Sequence, residues 1–137
     1  MNRLRAVSSA VLLSAFLTSC TAAPAPDSGP PVASAEDVCQ ELSDVGTLVF
    51  NMQMGRNSGR IQGEEYQGAM YLAVSMLARV GASDDDAVNA ALEELKAAAG
   101  TNEVDPDSEA WRTAFADVTD SCTAVLGEFG VRGWVGG

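Results

Sequence analysis

The chain has 137 residues, with 19 acidic side chains against 8 basic ones, a formal net charge of −11 and no histidine. A surface this acidic repels phosphate backbones and anionic headgroups, which excludes nucleic acid as a partner. The missing imidazole removes the usual general base, the Ser-His-Asp type of triad and the commonest zinc, copper and haem ligand. The length suits one small domain.

The chain opens Met1-Asn2-Arg3-Leu4-Arg5, two cations and no acid, and then runs apolar or small from Ala6 to Leu17. A positive flank followed by such a run has the form of a secretory signal. As a transmembrane helix it is too short, spanning about 18 Å at 1.5 Å per residue against a hydrocarbon core of about 30 Å. The run ends Leu17-Thr18-Ser19-Cys20. This resembles the lipobox of bacterial lipoproteins, in which an aliphatic residue and two small ones precede a cysteine. The resemblance implies that residues 1–19 are a signal peptide and that a peptidase cuts between Ser19 and Cys20. It further implies that Cys20 carries a diacylglyceryl thioether, with the new amino group open to a further acyl chain such as palmitate. Cell-membrane localisation, lipid-anchored on the extracytoplasmic face, follows from it. The resemblance covers the first twenty residues only; it names no family for the rest.

Loss of Arg3 and Arg5 with the signal would take the net charge to about −13, so electrostatics would not hold the mature chain to an anionic bilayer and the acyl chains would have to. Residues 20–34 join the lipidated cysteine to a Pro/Ala-rich stretch, TAAPAPDSGPPVAS. It lacks the apolar bulk for a core and reads as a disordered, flexible tether reaching roughly 40 Å at about 3.1 Å per residue.

From Ser34 the period becomes helical. Ser34 with Asp37 resembles a capping box, and Val38, Leu42, Val45, Val49 and Met52 follow at +4, +3, +4, +3, predicting a helix over 35–54. After Gly55-Arg-Asn-Ser-Gly59, a second helix is expected over 62–80, with Tyr66, Met70, Ala73, Leu77 and Val80 on its seam. Ser83 is expected to cap a third over 84–99, its seam Val88, Leu92, Leu95 and Ala99. The fourth is expected over 106–128, with Pro106 at its first position and a seam of Trp111, Phe115, Val118, Cys122, Val125 and Phe129. No segment alternates with period two, so residues 35–137 read as an acidic all-α domain, a small four-helix up-down bundle.

Three cysteines in an exported chain leave one unpaired. Lipidation of Cys20 resolves this and leaves Cys39 and Cys122 to form a disulfide in an oxidising compartment. Cys39 falls early in the first helix and Cys122 late in the fourth, positions that an up-down-up-down bundle brings side by side.

No catalytic residue and no metal set emerges, and the chain reads as a non-enzyme with no cofactor beyond the covalent lipid. Gly55–Arg60 has the glycines of a phosphate loop but neither its lysine nor its preceding strand, and reads as a helix connection. Asp84-Asp85-Asp86 reads as helix capping rather than a calcium site. Glu103, Asp105, Asp107 and Glu109 alternate, leaving a weaker calcium reading. Met52 and Met70 lie on the seams, whereas Met54 and Met76 lie off them and would flank a groove between the first two helices. Trp134, in a glycine-rich tail, folds back over the end of the bundle, serves as a docking peptide or is disordered. Trp134, Met54 and Met76 are therefore the candidate partner contacts. The leading expectation is an envelope-tethered interaction module that meets an unidentified envelope protein or small ligand. An exclusion lipoprotein of the kind phages encode is one form compatible with its size. A structural spacer or envelope assembly factor is the alternative, and an enzyme the third reading.

Overall fold

A computed structural model describes residues 32–100 and 104–133. Ser19, Cys20, most of the tether, Glu103 and Trp134 lie outside the described residues. Within them the fold is all-helical: α1 (Ala35–Asn57), α2 (Gly63–Leu77), α3 (Asp86–Ala99) and α4 (Glu109–Leu126), with no strand. An isolated bridge joins Ala33 to Ser83.

α1 begins where Ser34 Oγ accepts from the Asp37 N–H at 3.1 Å and its hydroxyl donates to Asp37 Oδ2 at 2.7 Å. Satisfying an orphan amide in this way stabilises a helix by about 1 kcal/mol. The helix does not stop at Gly55 but continues to Asn57. There the Arg60 N–H reaches back to Gly55 O at 2.9 Å and the Gly59 N–H to Arg56 O at 3.0 Å. Gly59 takes the left-handed conformation, φ 72°, that this termination requires. Gly55 is small for a packing reason: a Cβ there would run into the Ile61 side chain.

α3 corrects the expected cap. Asp85, not Ser83, accepts from the Ala87 and Val88 N–H groups, at 2.8 and 3.0 Å. Ser83 is buried and exchanges bonds with Asn89: Ser83 N–H and Oγ donate to Asn89 Oδ1 at 2.7 and 3.1 Å, and Asn89 Nδ2 donates to Ser83 O at 3.0 Å. α4 likewise starts later than expected. Pro106 sits in a turn closed by Ser108 N–H to Asp105 O at 3.1 Å, a place where its fixed φ is favoured. Ser108 then caps, accepting from the Trp111 N–H at 3.2 Å.

α1 packs on α2 and α4, and α3 packs on α4, while α2 and α3 meet lightly. The seams of α2 and α3 are buried as expected, as are Val38, Leu42, Val45 and Val49 of α1. On α4 the buried line is Trp111, Ala114, Val118 and Cys122. It continues by +4 to Leu126, which packs against the core, so Val125 turns outward with 37% of its surface exposed. Phe115 and Phe129 are half-buried at the rim. Cys39 and Cys122 are joined in a disulfide, Cα–Cα 5.5 Å, and both are wholly buried.

Candidate functional site

The α1–α4 face opens into a cleft of about 290 Å³. Its floor exists because Gly46, inside α1, has no side chain: a Cβ there would collide with the Phe115 ring and with Val131 Cγ1. Aromatic rings can therefore lie against the helix backbone. Trp111 and Phe115 stack along α4 with centroids 5.8 Å apart and planes 16° off parallel. Phe129 leans on Phe115 at 6.3 Å and 54°. Phe50, 40% exposed, stands on the opposite wall.

The far end of the cleft is polar. Gln53, Pro106, Asp107 and Arg112 line it, and Gln53 Nε2 donates to Asp107 Oδ1 at 2.7 Å. Asp107 is presented by the turn ahead of α4, where its own N–H donates to Asp105 Oδ1 at 3.1 Å. A carboxylate has room for several donors, so Asp107 can accept from a ligand as well as from Gln53.

The near end is closed by chain that follows α4. Gly127, φ 74°, ends the helix in the left-handed region, and residues 128–133 then run beside α1. Ser43 Oγ donates to Gly130 O at 2.7 Å, Arg132 N–H donates to Thr47 Oγ1 at 3.0 Å, and Asn51 Nδ2 donates to Arg132 O at 3.1 Å. Ser43, Thr47 and Asn51 recur every four residues, so they share one face of α1. Attention to the apolar seam alone passes over this polar ladder. Its signal in the sequence is the i, i+4, i+8 set of small polar side chains flanking Gly46.

The structure does not bring Met54 and Met76 together. Met76 lines a shallow hollow with Glu41, Asp44, Val45, Arg79 and Val80. Met54 is exposed near the end of α1 and takes no part in that hollow. Two further exposed apolar side chains, Tyr71 and Leu72, lie on α2.

The loops that invite a ligand reading have structural occupations. In Gly55–Arg60, the amides of Ser58, Gly59 and Arg60 all donate to carbonyls of α1. Asp84 Oδ1 accepts from the Ala35 N–H at 2.7 Å, and the Asp84 N–H donates to Ala33 O at 3.1 Å, so this loop holds the start of α1. Among the described residues, no group of three or more His, Cys, Asp or Glu is placed to hold a metal ion, and no helix is long and apolar enough to cross a membrane.

Comparison of the chain with protein-family models, curated proteins and solved structures gives no match. The functional reading therefore rests on the residues themselves.

Proposed function

We propose that the chain is a lipoprotein, held to the extracytoplasmic face of the cell membrane by a diacylglyceryl group on Cys20, that presents its helical domain as an interaction module. In this reading residues 1–19 are the signal peptide and the stretch after Cys20 is the tether. The domain is an up-down-up-down bundle. The link from early α1 to late α4 supports that topology, as does the guanidinium of Arg56 at the end of α1, 4.7 Å over the ring of Tyr66 at the start of α2.

The observation that carries the interaction role is the α1–α4 cleft: aromatic walls, one half-exposed ring and a carboxylate–amide pair at the end. Its size falls at the lower edge of small-molecule sites, roughly 300–1,000 Å³. It therefore suits one aromatic or branched side chain, donated by an envelope protein, better than a large ligand. Aromatic anchors in small apolar pockets dominate the energetics of such contacts.

Two experiments test the parts separately. Cys20→Ala should abolish labelling by radioactive palmitate, and unchanged labelling would refute the anchor. A photo-crosslinking side chain placed at Phe50 in intact cells should capture one envelope protein, while the same group at exposed Glu93 on α3 should not. Equal yields at the two positions, or no capture while deletion weakens the envelope, would favour a spacer over a binding module.

A further inference from the structure

We infer that a second copy of this chain docks on the outer face of α2, the two α2 helices lying antiparallel about a two-fold axis beside the Tyr71–Leu72 peptide. This surface is separate from the α1–α4 cleft, which no residue of α2 lines.

α2 packs on α1 and meets α3 lightly, burying Tyr66, Met70, Ala73 and Leu77. The opposite side carries Glu64, Gly68, Tyr71, Leu72, Ser75 and, just past the helix end, Arg79. At 3.6 residues per turn these six fall within about 100° of arc, centred away from the buried seam. Tyr71 is 62% exposed and Leu72 47%, two large apolar side chains next to each other in solvent.

Gly68 points the same way. A glycine inside a helix weakens it relative to alanine, so it calls for a reason. The two glycines inside α1 have theirs within the chain: a Cβ at Gly46 would strike Phe115, and one at Gly55 would strike Ile61. A Cβ at Gly68 meets nothing within 4 Å. What Gly68 permits is the close approach of a backbone from outside the chain.

The stripe is complementary to itself, which makes a second copy the occupant. Its spacing is +4, +3, +1, +3, +4, the same from either end. An antiparallel copy therefore sets Tyr71 against Leu72, Gly68 against Ser75 and Glu64 against Arg79, each pairing occurring twice as a two-fold interface requires. A parallel copy would set Glu64 against Glu64. Arg79 is exposed, and its Nε–H donates to Ser75 O at 3.0 Å, which draws the guanidinium back along this face. Arg79 also borders a hollow with Glu41 and Asp44 of α1, yet among the described residues neither Glu64 nor Arg79 is in an ion pair. The helix dipole favours an acid at the start of α2 and a cation at its end in any case, but it accounts for neither Gly68 nor the uncovered Tyr71 and Leu72. One helix face is at the low end of specific interfaces, so the dimer is a transient one.

A photo-crosslinking side chain placed at Tyr71, in cells making two copies of the full chain with different epitope tags, should yield a product carrying both tags. The same group at exposed Glu93 should not. Gly68→Leu adds bulk where the chain itself has room, so helical circular dichroism of the purified chain should be retained while the two-tag product falls about ten-fold. Glu64→Arg in both copies, or Arg79→Glu in both, should lower the yield about three- to ten-fold, because each reverses both ion pairs. Glu64→Arg in one copy with Arg79→Glu in the other restores opposite charges across the axis and should recover the yield, which also shows that each variant folds. A product at Tyr71 with one tag and a foreign protein, no product, or equal yields at Tyr71 and Glu93 overturns the docking of a second copy. An unchanged yield with Gly68→Leu, or no recovery in the mixed pair, overturns the antiparallel arrangement.

Discussion

Breaking the bond between Cys39 and Cys122 releases a closed loop whose ends are 83 residues apart. In the chain-entropy account this loop restricts the unfolded chain by about 15 cal/mol/K, so the bond stabilises the fold by about 4.5 kcal/mol at 25 °C. A domain of this size has a total stability of about 5–15 kcal/mol, which makes this single bond about 30% of it or more. At roughly 4–8 °C per kcal/mol, reduction should lower the melting temperature by about 20–35 °C. Guanidinium titration of the oxidised chain, the reduced chain and the Cys39→Ala/Cys122→Ala chain separates the causes. Reduction leaves the buried sulfur atoms in place and reports the cross-link, whereas the alanine variant adds the loss of packing around two wholly enclosed side chains. The denaturant slope should rise once the link is gone, because the unfolded chain expands. A reduced chain within about 1 kcal/mol of the oxidised one, with an unchanged slope, would refute the reasoning.

Gly46→Ala gains about 1 kcal/mol of helix propensity but drives a methyl group into Phe115 and Val131. Overpacking costs about 1–3 kcal/mol, so net destabilisation is expected by chemical denaturation, and a more stable variant would show that the cleft floor yields. Asn89→Ala strips the acceptor from the Ser83 N–H and hydroxyl and the donor from its carbonyl. Loss of about 1–3 kcal/mol is expected, with faster amide exchange at Ser83; unaltered exchange there would contradict the assigned role.

Helix number and type were legible because they depend on near neighbours. An apolar residue every three or four positions makes one sticky face whatever it later meets, and the seams of α2 and α3 emerge buried as their spacing requires. The pairing of Cys39 with Cys122 was also within reach, since reading Cys20 as the lipid-bearing residue of an exported chain leaves only these two. Helix ends were less legible where several capping residues compete. Ser83 and Asp85 both suit an N-cap; contact with Asn89 takes Ser83 out of the competition. Pro106 suits a first helical position, yet the Asp105 turn and the Ser108 cap place it outside.

The cleft belongs to the tertiary level entirely. Gly46, Phe115 and Val131 are far apart in sequence, and no local pattern states that a glycine on α1 will face the Phe115 ring of α4 and the chain beyond it. The ladder of Ser43, Thr47 and Asn51 has a visible spacing, but its meaning appears only when the chain beyond α4 lies against it. What the residues determine alone is which faces must be hidden; which faces meet, and what opening they leave between them, is decided by packing across the whole chain.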